Sequence, residues 1–274
     1  ASGAAAALWE PVEGLRFGTS VGRAFRTPDF NELYSDGPHL AAYSYDVGDP
    51  ALEQETGVGV DAFARLTRDR VRAEIAGFRN QMTNFISPSS RGRAERGPSA
   101  GRPRFQYSNE DARFTGAEGS LEVGLARRLV VDGTLSYVRA EFTNEREPIP
   151  VFGIDPETGV EDTTFVAASR YPAFIPPLNG QVNLRWEQPR WFAGVGSRFA
   201  GRQERTGDFE TPTAGYGVAM LTAGLRLPFR SRLHLLTLRV DNLFDQEYRE
   251  HLSRTKAVIP EPGRNVSLLY RLEF

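Results

Sequence analysis

The sequence predicts an all-β fold, the wall of an antiparallel up-and-down transmembrane β-barrel with about 11 strands. The first observation is that apolar and polar residues alternate with period two in many segments, so each strand has one apolar and one polar face. The second is that short and long connections alternate along the chain, as in barrels with tight turns at one end and long loops at the other.

The strands follow one another at nearly regular spacing. They are predicted at about 1–10, 15–22, 58–66, 71–86, 104–125, 129–142, 178–187, 191–201, 216–227, 233–248 and 263–274. Segment 178–187 alternates most clearly, with Leu178, Val182 and Trp186 on one face and asparagine, glutamine, arginine and glutamate on the other. The long connections are predicted at about 26–54, 87–103, 143–170, 203–214 and 250–262, where Asp, Gly and Pro favour turns.

The last strand keeps its alternation to the final residue. Val266, Leu268, Tyr270, Leu272 and Phe274 fall on one face of this strand. Chain ends in water usually fray, whereas the last strand of a membrane barrel closes the wall and turns its apolar face to lipid. This ending therefore favours a membrane barrel.

Composition excludes several classes of protein. Apolar residues make up 40% of the chain, charged residues 25%, and the net charge is −2. No apolar run reaches the length of about 18 residues that a transmembrane helix needs. The chain has no cysteine and a single lysine, Lys256, and no basic block that would indicate a nucleic-acid partner. No nucleophile elbow or acid–base pair stands out, so we expect no enzyme activity.

Two groups of motifs resemble the TonB-dependent outer-membrane receptors. Near the end, the sequence has Asn242-Leu243-Phe244-Asp245, Tyr248, Gly263-Arg264-Asn265 and Phe274. Near the start it has Arg26-Thr27-Pro28 and Glu32-Leu33-Tyr34, followed by Asp49-Pro50. The resemblance runs over nearly the whole chain in the family's order.

The resemblance implies a bacterial outer-membrane receptor that takes up a scarce nutrient, a metal ion or a metal chelate such as a ferric siderophore. Residues 1–274 would then form the C-terminal part of a barrel of about 22 strands, without the plug domain, its TonB box and the N-terminal strands. The implied partners are outer-membrane lipid, the TonB–ExbB–ExbD complex acting through the plug, and the barrel-assembly machinery acting on the last strand. No cofactor is implied beyond the transported metal or chelate.

One loop resembles the zinc and metal-uptake branch of this family. It runs from Tyr34 to Pro50, and its candidate metal-binding residues are His39, Asp36, Asp46 and Asp49. Imidazole and carboxylate groups suit zinc and similar metals, and His39 is the principal candidate ligand. His251 is a further candidate at the same end of the barrel, whereas His234 is expected to be structural. Alternatively, His39 is an ordinary polar loop residue and the aspartates stabilise turns.

Charged residues on the inward face have two interpretations. They line a substrate path, or they form salt bridges inside the barrel with a plug. The residues concerned are Arg16, Asp61, Arg65, Glu118, Glu122, Arg185 and Arg239.

Two other functions stay open at this stage. A passive porin-like channel would share the barrel but would need no plug. A soluble all-β module such as a sandwich lectin would bury the apolar strand faces against a second sheet.

Overall fold

The computed structural model describes residues 1–40, 44–93, 101–154 and 161–273. They form one short helix, α1 (Phe30–Tyr34), and 15 strands. The strands are β1 (Gly3–Val12), β2 (Leu15–Arg26), β3 (Asp36–His39), β4 (Ser44–Val47), β5 (Glu55–Arg68), β6 (Val71–Arg93), β7 (Pro103–Ala126), β8 (Leu129–Phe142), β9 (Ile149–Ile154), β10 (Glu161–Val166), β11 (Asn179–Glu187), β12 (Trp191–Ala200), β13 (Tyr216–Phe229), β14 (Arg232–Asp241) and β15 (Asn265–Glu273). No helix in the described ranges has the length and apolarity required to cross a membrane.

Eleven of the strands form one continuous antiparallel wall, in the order β1-β2-β5-β6-β7-β8-β11-β12-β13-β14-β15. This confirms the predicted up-and-down architecture and its strand number. Over the described residues the sheet is open, with β1 and β15 at its two ends.

Connections of two kinds define the two ends of the wall. Short turns such as those between β5 and β6 and between β13 and β14 lie at one end, which we call the short-turn end. At the other, the long-connection end, lie the segments between β2 and β5, β6 and β7, β8 and β11, β12 and β13, and β14 and β15. The predicted alternation of connections is therefore confirmed.

The predicted loop at 87–103 was wrong at residues 87–93 and at 103, because β6 continues to Arg93 and β7 begins at Pro103, while 94–100 lie outside the described residues. Serine and proline in this segment favour a loop, but cross-strand pairing such as Ser87 with Ser108 supplies partners for the backbone groups. The predicted loop at 143–170 likewise contains the hairpin β9–β10. Segment 26–54 contains α1, β3 and β4, and β4 pairs in parallel with β7.

Burial is concentrated at the long-connection end. Buried apolar residues there include Ile86, Phe142 and Ile149. Along the wall itself, apolar residues such as Leu8 and Leu268 stay two-thirds exposed, since no second layer covers their face. A sandwich would have buried them, so the soluble sandwich alternative was wrong.

Acids and arginines on the polar face of the wall pair with one another across neighbouring strands. Arg65 Nε lies 2.6 Å from Glu74 Oε2, and Arg185 Nε lies 2.9 Å from Asp132 Oδ1. Arg16 and Arg239 also have carboxylate partners within this chain. These arginines therefore have partners within the wall.

Three phenylalanine–glycine pairs recur on the same polar face. Phe63 faces Gly18, Phe78 faces Gly116 and Phe192 faces Gly224, each pair directly opposite on neighbouring strands. A Cβ atom at any of these glycines would lie 2.2–2.5 Å from the facing ring. The missing side chain therefore lets each ring lie flat along the wall, as in the rescue of strand glycines by aromatic residues.

Replacing Gly116 with valine should destabilise the protein, because the new side chain would meet the Phe78 ring and the Tyr137 carbonyl oxygen. We expect a loss of about 1–3 kcal/mol in the free energy of unfolding, measured as a lower midpoint of thermal unfolding of the intact protein. Gly119→Val is the control, since the nearest atom to a Cβ there is 3.8 Å away. Equal midpoints for the two variants would contradict the packing role of Gly116.

Candidate functional site

The structure places His39 beside Asp46 across the β3–β4 hairpin. His39 Nδ1 lies 3.0 Å from Asp46 Oδ2, and Asp46 Oδ1 accepts a hydrogen bond from Ser44 Oγ. Asp36 accepts a hydrogen bond from the Tyr45 hydroxyl, and Asp49 accepts one from the backbone N–H of Ala51. His39 and Asp46 are therefore adjacent, while Asp36 stabilises the hairpin and Asp49 a turn.

His251 lies elsewhere, buried in the connection between β14 and β15. Across the described ranges, no group of three or more His, Asp or Glu residues is close enough together to hold a metal ion. The structure therefore pairs two of the five candidate metal-binding residues and separates His251 from them.

The first group of motif residues fixes the exit from β2. Arg26 donates hydrogen bonds to Glu32 and Glu55, at 2.8 and 3.1 Å. Glu32 also accepts the backbone N–H of Asp29 and so caps α1, which follows Pro28 and ends at Tyr34. These residues anchor the first long connection to the wall.

The second group of motif residues fixes the exit from β14. Asn242, in a left-handed conformation, exchanges hydrogen bonds with the backbone of Gln246, and the N–H of Leu243 bonds to Ala219 O. Asp245 Oδ1 accepts the N–H of Arg264 at 2.7 Å, and a Cβ at Gly263 would also lie 2.7 Å from that oxygen. A side chain at position 263 would therefore displace the Asp245 carboxylate from this hydrogen bond.

Tyr248 continues this anchor toward the polar face. Its hydroxyl accepts a hydrogen bond from Arg198, and its ring lies 4.6 Å from that of Tyr216. Arg198 also pairs with Glu250. The last motif residue, Phe274, lies outside the described residues.

The connection between β12 and β13 carries a buried carboxylate, Glu210, that joins three connections. Its oxygens accept hydrogen bonds from Lys256 Nζ at 2.7 Å, from the N–H of Gly207 and from the N–H of Phe174. The side chains of Glu210 and Lys256 are only 4% and 6% exposed. Burial opposes ionisation of Glu210, but contacts with His251, Lys256 and Gly207 outweigh it and lower the pKa to about 2.

His251 completes this cluster. Its Nδ1 is 2.9 Å from Thr213 Oγ1 and 3.3 Å from Lys256 Nζ, and the ammonium group can only donate. Nδ1 therefore lies where it can accept a hydrogen bond from Lys256. Nε2 lies 3.0 Å from Glu210 Oε1 without well-directed hydrogen-bond geometry, so we regard this contact as electrostatic.

A second buried cluster lies two residues earlier in the same connection. Asp208 Oδ2 is 2.8 Å from Arg146 Nη2, and Glu110 Oε1 is 3.2 Å from Arg146 Nε. Arg146 also donates to the Ser169 carbonyl, and its side chain is 7% exposed. Asp208 and Glu210 therefore hold together the β8–β11, β12–β13 and β14–β15 connections.

Between these clusters lies a cavity of about 380 Å³. Its lining comes from the tip of β6–β7, the β8–β11 connection, the β12–β13 connection and the β14–β15 connection. Aromatic and charged side chains face it together: Phe105, Phe174, Phe209, Asp208, Glu210, Arg254 and Lys256. This size and mixed lining are typical of a small-molecule site.

Most residues of this site carry no local sequence signal. Lys256 was noticed only as the single lysine, and Glu210 only as the first residue of a segment, 210–216, that resembles the metal-uptake branch; neither was given a role in binding. The partners of Glu210 in other connections, Phe174 and Lys256, lie 36 and 46 positions away along the chain, a separation over which period-two alternation gives no signal. The unique lysine in an arginine-rich chain and the segment 210–216 were the available hints.

Replacing Glu210 with glutamine should loosen the connections, because it leaves buried Lys256 without a counter-charge. We expect a local loss on the order of 3 kcal/mol, measured as faster amide hydrogen exchange around Phe174, Gly207 and Lys256 in the intact protein. Glu204→Gln, in an exposed pair with Arg202 on the same connection, is the control. Unchanged exchange in the Glu210 variant would show that this carboxylate does not hold the connections.

The same carboxylate predicts a pH dependence. A pKa lowered from 4.5 to about 2 means that the contribution of Glu210 to stability is complete above about pH 4.5 and is lost as the pH falls toward 2. Hydrogen exchange, corrected for its intrinsic rate, should therefore show equal protection at about pH 6 and pH 5, and a loss at about pH 3. In Glu210→Gln this loss of protection between about pH 5 and pH 3 should be absent. If the unsubstituted protein already lost protection at about pH 5, the lowered pKa of Glu210 would be contradicted.

Comparison with solved structures shows the same fold. The copper transporter OprC is 23% identical, with a TM-score of 0.74, and the match covers 100% of this chain and 39% of that one. The siderophore receptor PirA from Pseudomonas aeruginosa is 22% identical, with a TM-score of 0.60, and the match covers 99% and 39%. The FrpB iron transporter from Neisseria meningitidis (F5-1 variant) is 14% identical, with a TM-score of 0.68, and the match covers 99% and 39%.

This chain therefore spans about two-fifths of the length of these transporters. Residues 1–243 also match the family model described as "TonB dependent receptor-like, beta-barrel". That match covers most of the wall and the first long connections, and it confirms the resemblance based on the motifs. The chain belongs to the family of TonB-dependent receptors, β-barrel proteins of the bacterial outer membrane.

Proposed function

We propose that this chain is the C-terminal part of the barrel of a receptor that actively imports a scarce metal, most simply as a metal chelate. The observation that carries the proposal is the cavity at the long-connection end, which four connections build and two buried ion clusters hold in shape. A solute bound there would be captured on the outside, since the long connections of outer-membrane barrels are extracellular.

The open sheet supports the proposal that this chain forms only part of a larger barrel. Its end strands β1 and β15 would leave unpaired backbone groups in lipid, at several kcal/mol for each group. We therefore propose that further strands complete the wall to about 22, and that a plug fills its lumen. In this proposal the TonB–ExbB–ExbD complex pulls on the plug, and the assembly machinery recognises β15.

A chelate is favoured over a bare ion by the donor groups in the structure. His39 and Asp46 offer two ligands across the β3–β4 hairpin, and within the described residues no third carboxylate or imidazole completes the set. A bare zinc ion usually takes four ligands in a protein site. His39 and Asp46 would then be a partial site that a plug residue completes, and zinc uptake stays a prediction.

Uptake by living cells tests the proposal. The intact receptor, expressed in a strain without its own metal receptors, should accumulate radiolabelled ferric chelate, copper or zinc only when TonB is present. Accumulation that is equal with and without TonB would instead support the passive porin-like channel. If none of the three metals accumulated, the proposal of metal import would be contradicted.

His39→Ala tests the partial metal site separately. Because it removes one of two adjacent ligands, we expect zinc affinity of the intact receptor to fall about tenfold or more, as measured by calorimetry. His234→Ala is the control, since this ring bonds to the Tyr270 hydroxyl in the wall near the short-turn end. Unchanged zinc affinity in His39→Ala would show that His39 is not a zinc ligand.

A further inference from the structure

Two phenylalanines of the cavity have a backbone conformation that bulky residues rarely adopt. Phe174 has φ 59° and Phe209 has φ 55°, both in the left-handed region. Such a conformation costs about 1–3 kcal/mol and persists only where the surroundings enforce it, often at binding sites. Two such residues lining one cavity therefore call for a common cause.

That cause is the buried ion network. The N–H of Phe174 donates to both oxygens of Glu210, at 3.2 Å each. Phe209 stands between Asp208, held by Arg146, and Glu210, held by Lys256. The network thus holds the backbone of Phe174 directly and both chain neighbours of Phe209, which lines the cavity and is 55% exposed.

The charges of the lining are paired with one exception. Asp208 pairs with Arg146, and Glu210 pairs with Lys256. The Arg254 guanidinium lies 4.8 Å from the centre of the Phe174 ring, and within the described part of the chain it has no carboxylate partner. Arg254 therefore offers an unneutralised positive charge next to an aromatic surface.

We propose that the cavity binds a planar aromatic ring that carries an anionic oxygen, either a carboxylate or a phenolate. The ring would stack against Phe209 and Phe174, and its oxygen would accept hydrogen bonds from Arg254. The cavity volume suits one such ring with its neighbouring atoms. This inference rests on the proposed function, since the ring would be the recognised part of the imported chelate.

Simple aromatic acids test this chemistry without knowledge of the natural chelate. The probes are benzoate and 2,3-dihydroxybenzoate, with cyclohexanecarboxylate as the non-aromatic anion and benzyl alcohol as the neutral aromatic. Binding to the intact receptor in detergent is measured by ligand-detected NMR and competition. We expect both aromatic acids to bind at least about tenfold more tightly than either comparison compound.

Two variants locate the binding. Arg254→Gln should weaken benzoate binding about tenfold or more, whereas Arg202→Gln on the neighbouring connection should leave it unchanged. Phe209→Asn removes the ring but suits the left-handed backbone. We therefore expect an equal or higher thermal midpoint together with weaker benzoate binding, a combination that a purely structural role of Phe209 would not produce.

Equal binding of benzoate and cyclohexanecarboxylate, or unchanged binding in Arg254→Gln, would overturn the inference. The uptake assay separates this failure from failure of the proposed function. TonB-dependent metal uptake that Arg254→Gln leaves intact would overturn only the aromatic site. Benzoate binding that depends on Arg254, in a receptor that imports no metal, would support the site and overturn metal transport.

Discussion

The carboxylate of Glu210 is the interaction on which the long-connection end depends. Its side chain is only 4% exposed, so its ionised form depends on hydrogen bonds from Lys256, the Gly207 N–H and the Phe174 N–H. Those donors come from three different connections. Loss of any one donor would leave a buried polar group unpaired, so the connections are stable only as a set.

The wall and the connections are stabilised by different physics. The wall is stabilised by backbone hydrogen bonds between strands whose apolar and polar residues alternate, and polar side chains pair across strands on one face. At the long-connection end, buried ion pairs and close ring contacts replace the regular pairing. This division suits a receptor, since a generic wall can carry connections whose chemistry is specific to one solute.

The motif residues prove to be anchors between these two regions. Arg26, Glu32 and Glu55 fasten the first long connection, whereas Asn242, Asp245 and Gly263 fasten the last. None of them lines the cavity between the ion clusters. The motifs that identify the family are thus structural, and residues such as Phe209 and Arg254, which no motif includes, carry the proposed specificity.

The sequence alone determined the wall, because period-two alternation and turn residues are local signals that each strand carries by itself. It also determined the family, through motifs such as Asn242–Asp245. Only the tertiary structure decided the extension of β6 and β7, since that pairing overrides the local preference of serine and proline for loops. It also decided the cavity, because Arg146 meets Asp208, and Lys256 meets Glu210, across long separations in the chain that only the folded wall closes.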